Sequence, residues 1–256
     1  MSGVRALWHR EIIRFGRQRS RVTGALLQPL VFWLLIGAGL SGSFRPAGSD
    51  VSYLEYFYPG TLALVLLFTA IFATISVVED RRSGFLQGVL VAPIPRSRIV
   101  LGQGLGATSV AVMQAGLFLL LAPLAGVPLT AAAVTGTLGA AALVAFALSN
   151  LGLSIAWRME STQGFHAVMN LLLLPIWFLS GAFFPAEGVG PVLGSLMAVN
   201  PLTYGVALLR RALWLGDGGT TADLPTLSIS LAVTVLFAVG SFAVATAVAR
   251  RSSTLD

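Results

Sequence analysis

Six stretches of the sequence, residues 22–40, 59–78, 101–125, 130–156, 163–184 and 226–249, each run for nineteen or more positions without Asp, Glu, Lys or Arg. The hydrocarbon core of a bilayer is about 30 Å thick, and roughly 20 apolar residues in helical form cross it. The sequence therefore predicts an all-α membrane protein with six transmembrane helices. With 56% hydrophobic and 10% charged residues in 256 positions, nothing is left over for a second, soluble domain, so residues 1–256 read as one transmembrane domain.

What the spans lack narrows the function. Their only titratable side chain is His166. Carriers and pumps driven by ion gradients generally need ionisable residues inside the membrane. That class is disfavoured, although sodium held by carbonyls and hydroxyls alone stays open. An intramembrane enzyme needs a nucleophile, a base or a metal converging at depth. Ser180 beside Gly181 stands some fourteen residues from His166 and reads as a packing serine. His9 and His166 have no acids at matching depth with which to hold a metal, so no catalytic, cofactor-binding or metal-binding residue is assigned. Lysine is absent, and a Walker A loop needs one to reach the phosphates of a nucleotide. Cysteine is absent too, which removes disulfides and thiolate metal sites. Any active transport by these residues must draw its energy from another protein.

The segments between the spans carry the charge. Residues 1–21 hold six arginines and one acid, and Val4, Trp8, Ile12 and Phe15 recur at helical spacing between Arg5, His9, Arg10, Arg14 and Arg17. This predicts an amphipathic helix on the cytoplasmic lipid surface, with Trp8 at headgroup level and the arginines meeting anionic lipid. Tyr53, Tyr56, Phe57 and Tyr58 read as an interfacial aromatic cluster, with Pro59 in the first turn of the second span. Gly126-Val127-Pro128 reads as a tight return. Gly102 and Gly106 spell GxxxG, a pattern that lets helices approach closely. Residues 188–215 are nearly apolar, but Asn200-Pro201 splits them into pieces too short to cross alone. They read as a re-entrant hairpin dipping in from the outer face, with a seventh span as the alternative. Thirteen arginines fall on the side of the N-terminus and three on the other, which places both termini in the cytoplasm. The net charge of +6 is thus a topology signal, and no nucleic-acid partner is expected.

The longest polar interruption is residues 79–98, with six ionisable residues. Glu79, Asp80, Arg81 and Arg82 end the second span, and Ser83-Gly84 allows a change of direction. A short helix over residues 85–91 then offers Phe85, Leu86, Val89 and Leu90 as apolar contacts, before Pro93 and Pro95 stop it. By itself this is either an ordinary charged loop or a helix suited to receive force from a cytoplasmic partner.

The run EDRRSGFLQGVLVAPIPRSRIVLGQ, followed by FLSGAFFPAEGVGPVLGSLMAVNPLTYGVALLRR, resembles the permease subunits of type-2 ATP-binding-cassette exporters, a group that includes drug-efflux permeases and exporters of lipid-linked saccharides. The sequence departs from that pattern at Gln103, where such proteins often have lysine, and at Ala207, where an acid often precedes the Leu-Arg pair. The resemblance implies that the helix over residues 85–91 is a coupling helix docking on a separate ATPase subunit, with residues 79–82 and Gly84 beside it. The N-terminal helix would touch the same ATPase. Two permease copies, expected to be identical, and two ATPases would form the transporter in the cell inner (plasma) membrane, with ATP and Mg held by the partner. Spans one, two and five would face the path and the 188–215 hairpin would gate it, with Phe32, Trp33, Phe68, Phe72, Trp177, Phe178, Phe183 and Phe184 as candidate liners. A charge-free path suits amphiphilic, drug-like or lipid-linked cargo. A scaffold subunit without transport is the alternative, and an intramembrane enzyme a more distant one.

Overall fold

A computed structural model describes residues 3–17, 19–40, 52–185, 189–215 and 224–251. The elements are α1 (Gly3–Arg17), α2 (Arg19–Leu40), α3 (Tyr53–Ala73), α4 (Ile75–Arg82), α5 (Phe85–Val91), α6 (Arg96–Leu119), a 3-10 turn (Ala122–Ala125), α7 (Ala131–Ala156), α8 (Thr162–Phe178), α9 (Pro191–Val199), α10 (Pro201–Leu213) and α11 (Leu227–Arg251). There is no strand among the described residues.

Helices α3 and α4 run on as one rod of thirty residues, from Tyr53 to Arg82. At 1.5 Å per residue it is about 45 Å long, so it overshoots the hydrocarbon core of a bilayer. It is the axis of the molecule: α2, α6, α7, α8 and α10 all pack against α3, and most side chains from Phe57 to Ile71 are buried. The rod starts earlier than the sequence suggests. Ser52 caps it by accepting the Glu55 N–H at 3.2 Å, a Ser-x-x-Glu signal of a helix start, and Pro59 lies inside the helix rather than at its first turn. Tyr53, Phe57 and Tyr58 are correspondingly buried in protein instead of standing at a lipid interface. The Tyr58 phenol donates to the Phe118 carbonyl at 2.7 Å and its ring stacks on Phe118 at 5.0 Å, so its polar end is satisfied inside the fold.

Four helices, this rod, α6, α7 and α11, are long and apolar enough to cross a bilayer, and α9 with α10 makes a fifth if the pair counts as one. The chain is an all-α membrane protein, but one expected span is broken. Residues 163–184 do not form one helix: α8 stops at Phe178, the Ser180 N–H turns back to the Trp177 carbonyl at 3.1 Å, and Gly181 takes a φ of +73°. Helix α2 runs unbroken from Arg19 to Leu40 and so covers the expected 22–40 stretch. Between α9 and α10 the chain bends by 79° at Asn200, an elbow rather than a closed hairpin. Helix α10 then packs against α7, α11 and α3.

Helix α1 is not spread on lipid alone. It lies along α6 in the groove opened by Gly102 and Gly106, where an added Cβ would stand 3.0 Å from Leu7 Cβ and 2.5 Å from Glu11 Cβ respectively. The GxxxG pattern therefore seats a helix of the same chain. Leu7 and Glu11 are its most buried side chains, one step round from the expected stripe. Trp8 donates its indole N–H to Ser109 Oγ on α6 at 2.9 Å rather than sitting free at headgroup level. Gly106→Val should push α1 off α6 and destabilise the protein by about 1–3 kcal/mol, the usual penalty of forced overpacking. Gly139→Val, where nothing lies within 4 Å of the added carbon, should leave the melting temperature of the purified protein unchanged.

Candidate functional site

At the end of the rod that leads into α5, the charges of α1 and α4 close on one another. Asp80 is 3% exposed and accepts three bonds: from Arg10 Nη1 at 2.7 Å, from Arg10 Nη2 at 2.6 Å and from Arg14 Nη1 at 2.9 Å. Arg14 Nη2 bonds Glu79. These two arginines thus turn inward to carboxylates instead of outward to lipid, while Arg5, His9 and Arg17 remain exposed. A carboxylate taken out of water is strongly destabilising unless paired, and removing one partner of such a pair costs about 3–5 kcal/mol. Glu11 receives less from the arginines: one bond, from Arg10 Nη1 at 3.2 Å. Burial pushes its carboxyl above the ordinary carboxylate range, against opposing pulls from Ser76 and the two arginines. Arg81 faces the other way and donates to the Trp157 and Met159 carbonyls at 2.6 and 3.3 Å, tying α4 to the end of α7.

Helix α5 hangs from this cluster. Gly84 takes a φ of +78°, which breaks the chain away from α4. Arg96 caps the far end by donating to the Leu90 carbonyl at 3.2 Å. Leu86 is 3% exposed and anchors the helix into the bundle, Val89 and Leu90 are half-buried, and Phe85 lies under the Arg10 guanidinium at 4.0 Å. The exposed face is made instead by Phe85, Gln87, Gly88 and Val91, the last 87% exposed. Among residues 79–82 only Arg82 is exposed.

Beside the cluster a cavity of about 420 Å³ lies among α1, α2, α3, α4, α6 and α8. Phe68 and Phe72 line it, as does Phe15 from α1, with Glu11, Arg14, His166 and Asn170 among its polar groups. The other six candidate path aromatics lie elsewhere. Trp33 is buried, donates to the Leu54 carbonyl at 3.0 Å and packs edge-on against Tyr58. Trp177 is buried and donates to the Gly60 carbonyl at 2.8 Å. Around it Phe32, Phe178 and Phe183 stand with ring centres 5.0 to 6.4 Å away, and Phe184 adjoins Phe183.

That aromatic group belongs to the opposite end of the rod, where the turn after α8 is held from several sides. Tyr53 and Tyr56 donate their hydroxyls to the Phe183 and Gly181 carbonyls at 2.9 and 3.4 Å. A Cβ on Gly60 would stand 2.2 Å from the Ala182 carbonyl oxygen, so only glycine allows this approach. Asn200 serves two helices, donating to the Ile176 carbonyl at 2.6 Å and capping α10 by accepting the Leu202 N–H at 3.0 Å. Arg210 lies over the Tyr56 ring at 4.2 Å and reaches the Tyr56 and Gly181 carbonyls. Sequence reasoning read Tyr53 and Tyr56 as interfacial aromatics and Asn200-Pro201 as a break, and gave Gly60 and Arg210 no role; the joining of α3, α8 and α10 by these residues was not foreseen.

Comparison with known proteins agrees with this architecture. Nodulation protein J of Rhizobium leguminosarum bv. viciae is 25% identical over 250 residues, covering 96% of this chain and 93% of that one. The putative transport permease ycf38 of Cyanophora paradoxa is 26% identical over 204 residues, covering 78% and 70%. The inner membrane transport permease YhhJ of Escherichia coli (strain K12) is 28% identical over 159 residues, covering 61% and 41%. Residues 2–214 match the ABC-2 type transporter family, and the chain belongs to that family, as a multi-pass transmembrane subunit of a transporter and not itself an enzyme.

Proposed function

We propose that this chain is the permease of an ATP-driven exporter that moves an amphiphilic, drug-like or lipid-linked molecule out of the cytoplasm, powered by a separate ATPase subunit that holds ATP and Mg. The observation that carries the reading is α5. It is a helix pinned at both ends, anchored through Leu86, with Phe85, Gln87, Gly88 and Val91 left outside the bundle. An apolar ridge held rigidly at the tip of a buried rod suits a groove on a partner. Leu86 thereby changes role from a docking contact to an anchor, and Val91 joins the docking face. Glu79, Asp80 and Arg81 brace the ridge from within.

In this reading two copies of the chain pair and two ATPases dock on their α5 helices. Both termini lie in the cytoplasm of a cell with this protein in its inner (plasma) membrane. Helices α2 and α8 complete six spans, and the α9–α10 elbow closes the outer end. Cargo moves past α2, α3 and α8. Closure of the ATPase pair on ATP pushes α5, and the push enters the rod through Leu86 and the Asp80 cluster.

Two experiments test this. Val91→Asp should abolish co-purification of the ATPase and export while leaving the melting temperature unchanged, whereas Leu86→Asp should destabilise the permease itself. A permease that exports with no ATPase bound, or a Val91→Asp variant that keeps its ATPase, would overturn the assignment of α5. Because the chain has no cysteine, single substitutions report sidedness directly. Ser83→Cys should react with an impermeant maleimide only from the cytoplasmic side and Gly190→Cys only from outside.

A further inference from the structure

We propose that the cavity flanked by α2 and α8 is a binding site for lipophilic cations, and that Glu11 is the group that reads the charge. This deepens the exporter reading by naming a cargo class, and its significance for transport rests on that reading.

The shape comes first. At about 420 Å³ the cavity falls in the size range of small-molecule sites, roughly 300–1,000 Å³. Its walls are mainly apolar, with the rings of Phe15, Phe68 and Phe72 and the side chains of Pro29, Ile75 and Val110. Gly24 and Gln28 on α2, and His166 and Asn170 on α8, are exposed at its rim. A guest can therefore enter sideways, between two helices, without crossing the bundle.

Charge gives the selectivity. Around Glu11 are Arg10 and Arg14 on its own helix, Ser76 and Asp80 on α4, and His166 across the cavity on α8, with Glu79 beyond, paired to Arg14. Among the described residues, those of α2 and α6 that line the cavity are neutral. Both Nη atoms of Arg14 are engaged, by Asp80 and Glu79. The two shortest bonds of Arg10 go to Asp80. Among the described contacts, Arg10 and Arg14 give four bonds to Glu79 and Asp80 and one to Glu11, which is only 7% exposed and holds the weakest share. Its upward-shifted carboxyl, driven first by burial, is what an under-compensated buried charge shows. A cation in the cavity supplies the missing compensation, and aromatic rings in the wall are groups that attract one. An anion would meet the Glu11 carboxylate, while both terminal nitrogens of Arg14 already bond carboxylates.

The sign of the pH dependence follows. A bound cation favours the ionised carboxylate, so binding releases the proton that the raised Glu11 holds at low pH. Affinity is highest above that raised value and falls as pH falls through it.

The test uses the full chain in nanodiscs and two probes of one shape and opposite charge, tetraphenylphosphonium and tetraphenylborate, with uptake by empty nanodiscs subtracted. Tetraphenylphosphonium should bind and tetraphenylborate should bind more weakly. Glu11→Gln should weaken the cation about tenfold, the scale of 1.4 kcal/mol, without weakening the borate, and Phe72→Ala should weaken both. The wild type should lose cation affinity on acidification and Glu11→Gln should not, an arm that does not depend on the variant's absolute affinity. Equal or tighter binding of the borate, no effect of Glu11→Gln, or uptake no greater than that of empty nanodiscs would overturn the proposal. A permease that brings down its ATPase but ignores tetraphenylphosphonium keeps the exporter assignment and loses this site.

Discussion

A carboxylate buried at the end of a long apolar rod cannot stand alone, and Asp80 is such a group. Its three short bonds from Arg10 and Arg14 oblige α1 to fold back against α4, and glycines 102 and 106 make the room on α6. Pairing and packing are thus two halves of one arrangement. Without the glycines the arginines would not reach, and without the arginines the carboxylate would need to be neutral or elsewhere. With α1 in place, α5 has a fixed base, and the cavity has its polar end.

The opposite end solves a different problem, that of backbone groups released where α8 stops. A helix that ends inside protein leaves its last carbonyls unpaired. Here Asn200 takes the Ile176 carbonyl, Thr203 reaches the Leu179 carbonyl at 3.3 Å, and Tyr56 and Arg210 converge on Gly181. The donors come from α3 and α10, so the turn that closes α8 also joins the rod to the elbow. Irregular backbone at membrane depth is tolerable only where protein covers it in this way.

Much of the architecture could be read from the order of residues. Charge-free runs gave the long helices, Gly84 and Pro93 bounded α5, and Asn200-Pro201 placed the elbow. The start of the rod was legible too, in Ser52 and Glu55, but Pro59 was the louder signal and the wrong one. The pairing of Arg10 with Asp80 was not legible, since 70 residues separate them and nothing local marks either as a partner. Nor was the burial of Leu86: a seven-residue helix with apolar side chains on every face gives no periodicity from which to choose an inside. The cavity draws on six helices, and its aromatic walls could not be told from the packing group around Trp177 until those helices were placed.

The rod is not uniform. At Thr74 the helix tightens for one residue into a 3-10 turn: its N–H bonds the Ile71 carbonyl at 3.0 Å and its hydroxyl donates to the same oxygen at 2.6 Å. Gly152 of α7 presses close to this point, leaving room for no added carbon. A bearing at Thr74 divides the rod into unequal arms, eight residues toward α5 and twenty-one toward Tyr53, or about 12 Å and 31 Å at 1.5 Å per residue. If the rod turns as one body about that point, a small displacement at the end of the short arm would reach the aromatic turn enlarged about two-and-a-half times by the arm lengths alone. Mechanical advantage in this molecule would come from where along its length one stiff helix is held.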